Sequence, residues 1–180
     1  MKVAVKRFVL DASVTVAWFF EDESTAFTEG VLDLISAGAQ AVMPAIWPFD
    51  VANALLVAER RKRITVAQVT ALLGRILQLP VSVESVEPDI AFTRVLSVAR
   101  QQNLTEYDAA YVELALRNGL PLATLDDQLR QAARTLGRVA PCGLCSGPAS
   151  EVLQWRDWGH PSRQSGSGLP ACFKLLYLRT

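Results

Sequence analysis

Phe8-Val9-Leu10-Asp11-Ala12-Ser13 is the stretch that decides the fold: large apolar residues run up to a carboxylate, and residues 12–20 continue with helix-compatible content. A buried strand feeding a helix is the unit from which sheets with helical crossovers are built. The unit recurs downstream. Residues 25–37 read as a helix stopped by Gly38, and Ala41-Val42-Met43 as a short strand closed by Pro44. After Pro48, well placed at a helix start, Val51, Ala54, Leu55 and Ala58 fall at the i, i+3, i+4, i+7 spacing of an amphipathic helix. Thr65 with Gln68 is a capping-box signature for a helix running to about residue 79, and Val81, Val83 and Val86 suggest another strand. Pro88 starts a helix to about residue 102. Thr105 opens one more, with Tyr107, Ala110, Tyr111 and Leu114 as its buried stripe and Gly119 as its stop. Residues 120–125 form an apolar strand arriving at Asp126, and residues 128–136 a final helix. This alternation predicts an α/β fold around a central, mostly parallel sheet.

With 180 residues and 51% hydrophobic content, the chain suits one well-buried domain. Lys+Arg 18 against Asp+Glu 18 leaves no net charge, so nucleic-acid binding has to come from local patches. Lys2, Lys6 and Arg7 before an apolar run imitate a signal sequence, but Asp11 interrupts the run and no small-x-small cleavage site follows. No stretch approaches the roughly 18 uncharged apolar residues that a membrane span needs. Only three cysteines occur, all beyond residue 140, which describes no disulfide framework. A cytoplasmic location is the expectation. Beyond about Ala140 the periodicity ends, and we expect a patterned domain over residues 1–140 followed by a poorly ordered tail over residues 141–180.

Ligands of open parallel sheets bind outside the carboxyl ends of the strands, where Asp11 and Asp126 are expected. Asp50 lies at the edge of its helix's apolar stripe with Asn53 one turn on, both toward the rim of the core, and Asp108 sits in the first turn of the Thr105 helix. Carboxylates gathered in a partly buried pocket repel one another, and a hard divalent cation is the usual compensation. Oxygen-only ligation suits Mg²⁺ or Mn²⁺. Each acid also has a plain structural role open to it. Asp11 and Asp126 can be N-caps, Thr105 with Asp108 a capping box, and Asp50 a favourable charge at a helix start. Capping alone does not explain acids at two strand ends and on two helix rims together.

Four segments carry a family resemblance: Phe8-Val9-Leu10-Asp11-Ala12-Ser13; Pro44-Ala45-Ile46-Trp47-Pro48-Phe49-Asp50-Val51-Ala52-Asn53-Ala54-Leu55; Leu104-Thr105-Glu106-Tyr107-Asp108-Ala109-Ala110-Tyr111; and Ala123-Thr124-Leu125-Asp126-Asp127-Gln128-Leu129. In order and spacing they resemble the successive blocks of VapC-like PIN-domain toxins, over roughly residues 7–140. The resemblance implies a three-layer α/β/α domain and a ribonuclease in which Asp11, Asp50, Asp108 and Asp126 hold Mg²⁺ or Mn²⁺, with Ser13, Asn53 and Thr124 supporting the pocket. It also implies an RNA substrate, a cognate antitoxin and a homodimer. One departure stands out: the family usually has glutamate where this chain has Asp50, and a side chain one methylene shorter would reach a metal through an intervening water.

Trp18, Phe19 and Phe20 form an aromatic cluster that reads either as core or, from the resemblance, as part of a dimer or antitoxin surface. Cys142, Cys145, His160 and Cys172 formally suffice for zinc but lack a second compact pair, so disorder is the preferred reading of the tail. Two other chemistries place Asp after a strand. A haloacid-dehalogenase-type phosphatase wants a second acid or a glycine-threonine after its nucleophile, which Asp11-Ala12-Ser13-Val14 lacks, and a phospho-receiver domain wants a lysine at a late strand end, where none stands. The remaining rival is a noncatalytic PIN-like domain acting through partner or RNA binding.

Arg60-Arg61-Lys62-Arg63 closes the Asp50 helix and either complements its dipole or holds RNA phosphates. If the run holds phosphates, neutralising all four residues weakens RNA binding and flattens its salt dependence, by about 0.7 in log–log slope for each single-strand phosphate that is no longer paired with a cation. An unchanged slope in a salt titration would return them to a purely structural role.

Overall fold

A computed structural model describes residues 7–136. The tail beyond residue 136, with the expected boundary at residue 140 and the Cys142, Cys145, His160 and Cys172 set, lies outside the described residues. Four parallel strands, β1 (Arg7–Leu10), β2 (Gln40–Pro44), β3 (Val81–Glu84) and β4 (Leu122–Ala123), form a sheet in the order β3-β2-β1-β4. Val9 registers with Val42 on one side and Leu122 on the other. Phe8, Val9 and Leu10, like Ala41, Val42 and Met43, are wholly buried, as strands covered on both faces must be.

The strand order fixes where the helices go. The chain moves outward from β1 to β2 to β3 through α1 (Ala12–Ala17), α2 (Ala26–Ser36), α3 (Trp47–Arg60) and α4 (Val66–Ile76). It then reverses to β4 through α5 (Pro88–Ile90), a π-helical turn (Ala91–Val95), α6 (Leu96–Gln102) and α7 (Glu106–Asn118), and ends the described region in α8 (Asp127–Thr135). Right-handed crossovers in opposite directions put the two helix groups on opposite faces, which gives the three-layer α/β/α arrangement. The winding reverses between β1 and β4, and that switch point is where open α/β sheets bind ligands.

The local signals act as expected at most ends. Thr25 and Thr65 each close a capping box, with Thr28 and Gln68 respectively, and Gly119 ends α7 with a left-handed φ of 62°. The buried face of α3 is Trp47, Val51, Ala54, Leu55 and Ala58. Other expectations need correction. The first helix stops at Ala17, α4 at Ile76, and β3 ends before Val86. The strand expected over residues 120–125 shrinks to Leu122–Ala123: Pro121 and Ala123 face β1 through their carbonyls, and the next N–H on that side, of Leu125, goes to the Ser13 hydroxyl in place of the ladder. Tyr107 is 56% exposed and lies outside the buried face of α7, whose burial begins at Ala109.

Trp18 and Phe19 pack against the core half-buried, and Trp18 donates from Nε1 to the Thr28 carbonyl at 2.7 Å. Phe20 is buried beneath the Arg63 guanidinium, 4.2 Å from its ring centre. Arg63 also pairs with Asp22 at 2.8 Å and Glu23 at 2.7 Å, so this member of the basic run is drawn into local contacts. Among the described residues no helix is long and apolar enough to cross a membrane.

Glu113, buried in the middle of α7, is the charge that ties the second helical layer together. It meets Arg94 of the π-helical turn at 3.1 Å and Arg117 at 3.3 Å, and Arg117 reaches on to Glu84 of β3 at 3.5 Å. Removing one member of a buried pair strands the other charge, whereas an exposed partner is worth little. Glu113→Ala is therefore expected to cost about 3 kcal/mol in urea unfolding, and Arg94→Ala, whose side chain is 54% exposed, under about 1 kcal/mol.

Candidate active site

Asp11 follows β1 directly and occupies the N-cap position of α1, yet its side chain caps nothing. The carboxylate turns instead into the gap between β1 and β4. There its Oδ2 accepts from the Ser13 hydroxyl and from the Thr124 hydroxyl, the latter at 2.7 Å. Each hydroxyl is also an acceptor. Ser13 Oγ takes the Leu125 N–H at 3.0 Å and Thr124 Oγ1 takes the Asp126 N–H at 2.9 Å. Ser13 and Thr124 thus lace the end of β1 to the turn after β4, and Asp11 Oδ1 carries neither of the two hydroxyl bonds. Burial pushes the Asp11 carboxyl up to about 6, and the nearby charges of Asp108 and Asp126 push the same way against the two hydroxyl bonds.

Asp126 does cap its helix, accepting from the N–H groups of Gln128 and Leu129 at 2.7 and 2.9 Å. Both bonds go to Oδ1, so the capping role leaves Oδ2 out. Asp108 shares hydrogen bonds with Thr105: its N–H donates to Thr105 Oγ1 at 3.1 Å, and its carboxylate accepts from the same hydroxyl at 2.8 Å. The N-cap alternative is realised for Asp126. At α7 Thr105 caps the Asp108 N–H, while the Asp108 carboxylate accepts from the Thr105 hydroxyl where a capping box would use the Thr105 backbone N–H. Both acids are also coupled in charge to Asp11.

Asp50, in the first turn of α3, is reached by a residue that reads in the sequence as plain core. Tyr111 of α7 is buried and donates from its hydroxyl to Asp50 Oδ2 at 2.7 Å. Burial raises the Asp50 carboxyl above the usual carboxylate range, the Tyr111 bond opposes this, and Asp108 adds to it. The acids therefore form a chain of influence in which Asp108 acts on both Asp50 and Asp11, and Asp126 on Asp11. The only sequence signal for Tyr111 is its place on the α7 stripe, which says nothing about its hydroxyl. Asn53, expected at the rim of the core, is exposed. Arg60 to Arg63 lie at the far end of α3, about 15 Å from Asp50 along the axis at the usual helical rise.

The donors are hard oxygens, and the repulsion among Asp11, Asp108 and Asp126 is of the kind a cation relieves. Among the described residues no three His, Cys, Asp or Glu side chains converge into a closed ligand group. Mg²⁺ usually keeps several waters and binds through one or two carboxylates, so the open arrangement suits a hydrated ion better than a cage.

The raised Asp11 carboxyl makes a stability statement. The folded form favours the protonated acid, so its contribution is fully present below the ordinary value of 3.8 and is lost as pH rises through about 6. Without added metal, Asp11→Asn is therefore expected to be more stable than the wild type above pH 7, by about 1–2 kcal/mol after allowance for the altered hydroxyl bonds. The advantage should disappear toward pH 4. Thermal melts across that range check it, and a pH-independent difference would contradict the assignment.

The model of the PIN domain family matches residues 8–135. Among solved structures, the crystal structure of PAE2754 from Pyrobaculum aerophilum is similar, with 27% identity and a TM-score of 0.56 over 74% of this chain and 87% of that one. No curated protein matches the chain. A family match across most of the described region, on a parallel sheet with acids at its switch point, identifies the chain as a member of the PIN domain family, whose members are generally nucleases.

Proposed function

We propose that the chain is a Mg²⁺- or Mn²⁺-dependent endoribonuclease, acting in the cytoplasm as the toxin of a toxin–antitoxin pair. The observation that carries the enzymatic reading is Asp11: a buried carboxylate at the switch point, given two hydroxyl donors and surrounded in charge by Asp108 and Asp126. Strongly perturbed acids in such a crevice are candidates for function. The sequence blocks resembling VapC-like toxins support the toxin role. The exposed apolar residues Val66 and Leu73 of α4, with Leu77 at its C-cap, support a protein-binding surface for an antitoxin or a second copy.

Asp11, Asp108 and Asp126 would hold the ion, with Asp50 at the rim. When bound, such an ion lowers the pKa of a water, orients the phosphate and offsets charge on the leaving oxygen. The chain's own part is positioning. Ser13 and Thr124 fix the Asp11 carboxylate through one oxygen. The capping bonds of Asp126 and Asp108 hold those acids on the first turns of rigid helices. Tyr111 keeps the shorter Asp50 side chain oriented from across the site.

RNA cleavage with Mg²⁺ or Mn²⁺ is expected to fall by at least about a hundredfold in Asp11→Asn and Asp108→Asn, a loss typical of removing one strong electrostatic group from an active site. Circular dichroism should show an unaltered fold. Full cleavage by both variants would sink the mechanism. Intact RNA binding without cleavage by the wild type would favour the noncatalytic alternative.

A further inference from the structure

The pocket is lined by acids, and the charges acting on Asp11 are those of Asp108 and Asp126. A phosphodiester strand drawn toward it is repelled unless cations stand close by. Arg94 and Arg117 are taken up by Glu113, and Arg63 by Asp22 and Glu23. Arg130 of α8 is placed differently. Its Nη2 donates to the carbonyl of Thr124 at 3.3 Å, and the hydroxyl of the same Thr124 donates to Asp11 Oδ2 at 2.7 Å. One residue thus links this guanidinium to the buried carboxylate of the pocket. Arg130 is not the counter-ion of that carboxylate, because the charges that bear on Asp11 are acidic ones.

Nη1 of Arg130 pairs with Asp127, the first residue of α8. The two side chains differ in setting, Arg130 at 23% exposure and Asp127 at 81%. The guanidinium is therefore fixed against the turn after β4, while its acid partner stands in solvent. An exposed partner of this kind contributes little, and a phosphate oxygen meets the guanidinium fork as well as a carboxylate does. Arg134, exposed and one turn further along α8, continues the same face about 6 Å on at the usual helical rise. That helix is capped by Asp126, itself a pocket acid, so the two arginines lead away from the pocket along α8. A run of cations such as Arg60 to Arg63 is conspicuous in a sequence, whereas two arginines one turn apart are not.

We infer that Arg130 and Arg134 form a phosphate-binding track along α8, on which a backbone phosphate displaces Asp127 from Arg130 and the strand is led to the acidic pocket. Asp127 stands in for the phosphate in the free protein. The inference rests on the ribonuclease reading and supplies the surface that holds the strand. Phosphate contacts fix register and carry no sequence information, so the track orients a strand without selecting it.

The test is fluorescence anisotropy of labelled oligoadenylate and oligouridylate across a salt series, on the full chain carrying Asp11→Asn to suppress cleavage. Arg130→Gln and Arg134→Gln are each expected to lower the log–log salt slope by about 0.7, a loss of about fivefold in affinity near 0.1 M salt, equally on both probes. Arg130→Lys, which keeps the charge and loses the fork, should keep the parent's slope. Asp127→Asn should tighten binding by up to about fivefold, the range for an exposed ion pair, and should lose that effect once Arg130 is replaced by glutamine. Unchanged slopes in both glutamine variants overturn the proposal, as does an effect confined to one probe. A loss in Arg130→Lys as large as in Arg130→Gln also overturns it, by making Arg130 a support of the Thr124 turn alone. So does an Asp127→Asn gain that persists in Arg130→Gln, which would be a general effect of charge. The underlying reading fails separately: wild-type protein that binds through the track yet never cleaves RNA leaves the track standing and removes the nuclease.

Discussion

Asp11 is buried at the point where the sheet's winding reverses, and much of the local architecture consists of what the chain supplies to a carboxylate in that position. An ionised acid out of water is costly unless it is paired or well hydrogen-bonded. The chain offers two hydroxyls on one oxygen, and then places Asp108 and Asp126 where their charge makes matters worse. The Ser13 hydroxyl also takes the Leu125 N–H on the side facing β1, and the Thr124 hydroxyl takes that of Asp126, so the turn after β4 is tied to the way Asp11 is held.

Glu113 gives the internal comparison. It is as buried as Asp11, and it receives Arg94 and Arg117, the ordinary solution for an acid whose job is to join elements. The groups acting on Asp11 are hydroxyls and other acids. One protein thus treats two buried carboxylates in opposite ways. Glu113 is neutralised from within the chain, whereas the charges acting on Asp11 add to the penalty of its burial, a pattern in keeping with the proposed cation site.

Much of this is legible in the sequence, for identifiable reasons. Apolar runs ending in Asp11, Pro44 and the 122–123 segment mark the sheet, and the capping pairs Thr25–Thr28 and Thr65–Gln68 together with Gly38 and Gly119 mark helix ends through chemistry that acts within a few residues. Asp11 and Asp126 can be picked out as candidates because a parallel sheet presents its strand ends on one side, and the structure couples them in charge with Asp108. What stays hidden depends on distant partners. The sequence shows Tyr111 as an aromatic residue at a core position but not that its hydroxyl lands on Asp50, 61 residues away. Tyr107 and Asn53 fit the periodicity of buried or rim positions, yet periodicity describes a helix lying on the core, and both stand on early turns that open to solvent at the edge of the site. Arg63 reads as one of four equivalent cations until Asp22, Glu23 and Phe20 claim it.

The bond between Tyr111 and Asp50 also bears on the missing methylene. A phenol is a neutral donor, so it favours the ionised carboxylate without supplying charge, and it opposes the burial that works against that ionisation. It holds one oxygen of a side chain too short to wander, and fixes its orientation from a helix that also carries Asp108. An aspartate so held has a defined direction but little reach. In a site assembled around a hydrated ion, direction is what a ligand acting through water requires, because the water supplies the distance and the carboxylate has only to present an acceptor. Tyr111 and the shortened acid are therefore best understood as one unit, and a glutamate in place of Asp50 would have to remake the bond to the phenol that now fixes the carboxylate.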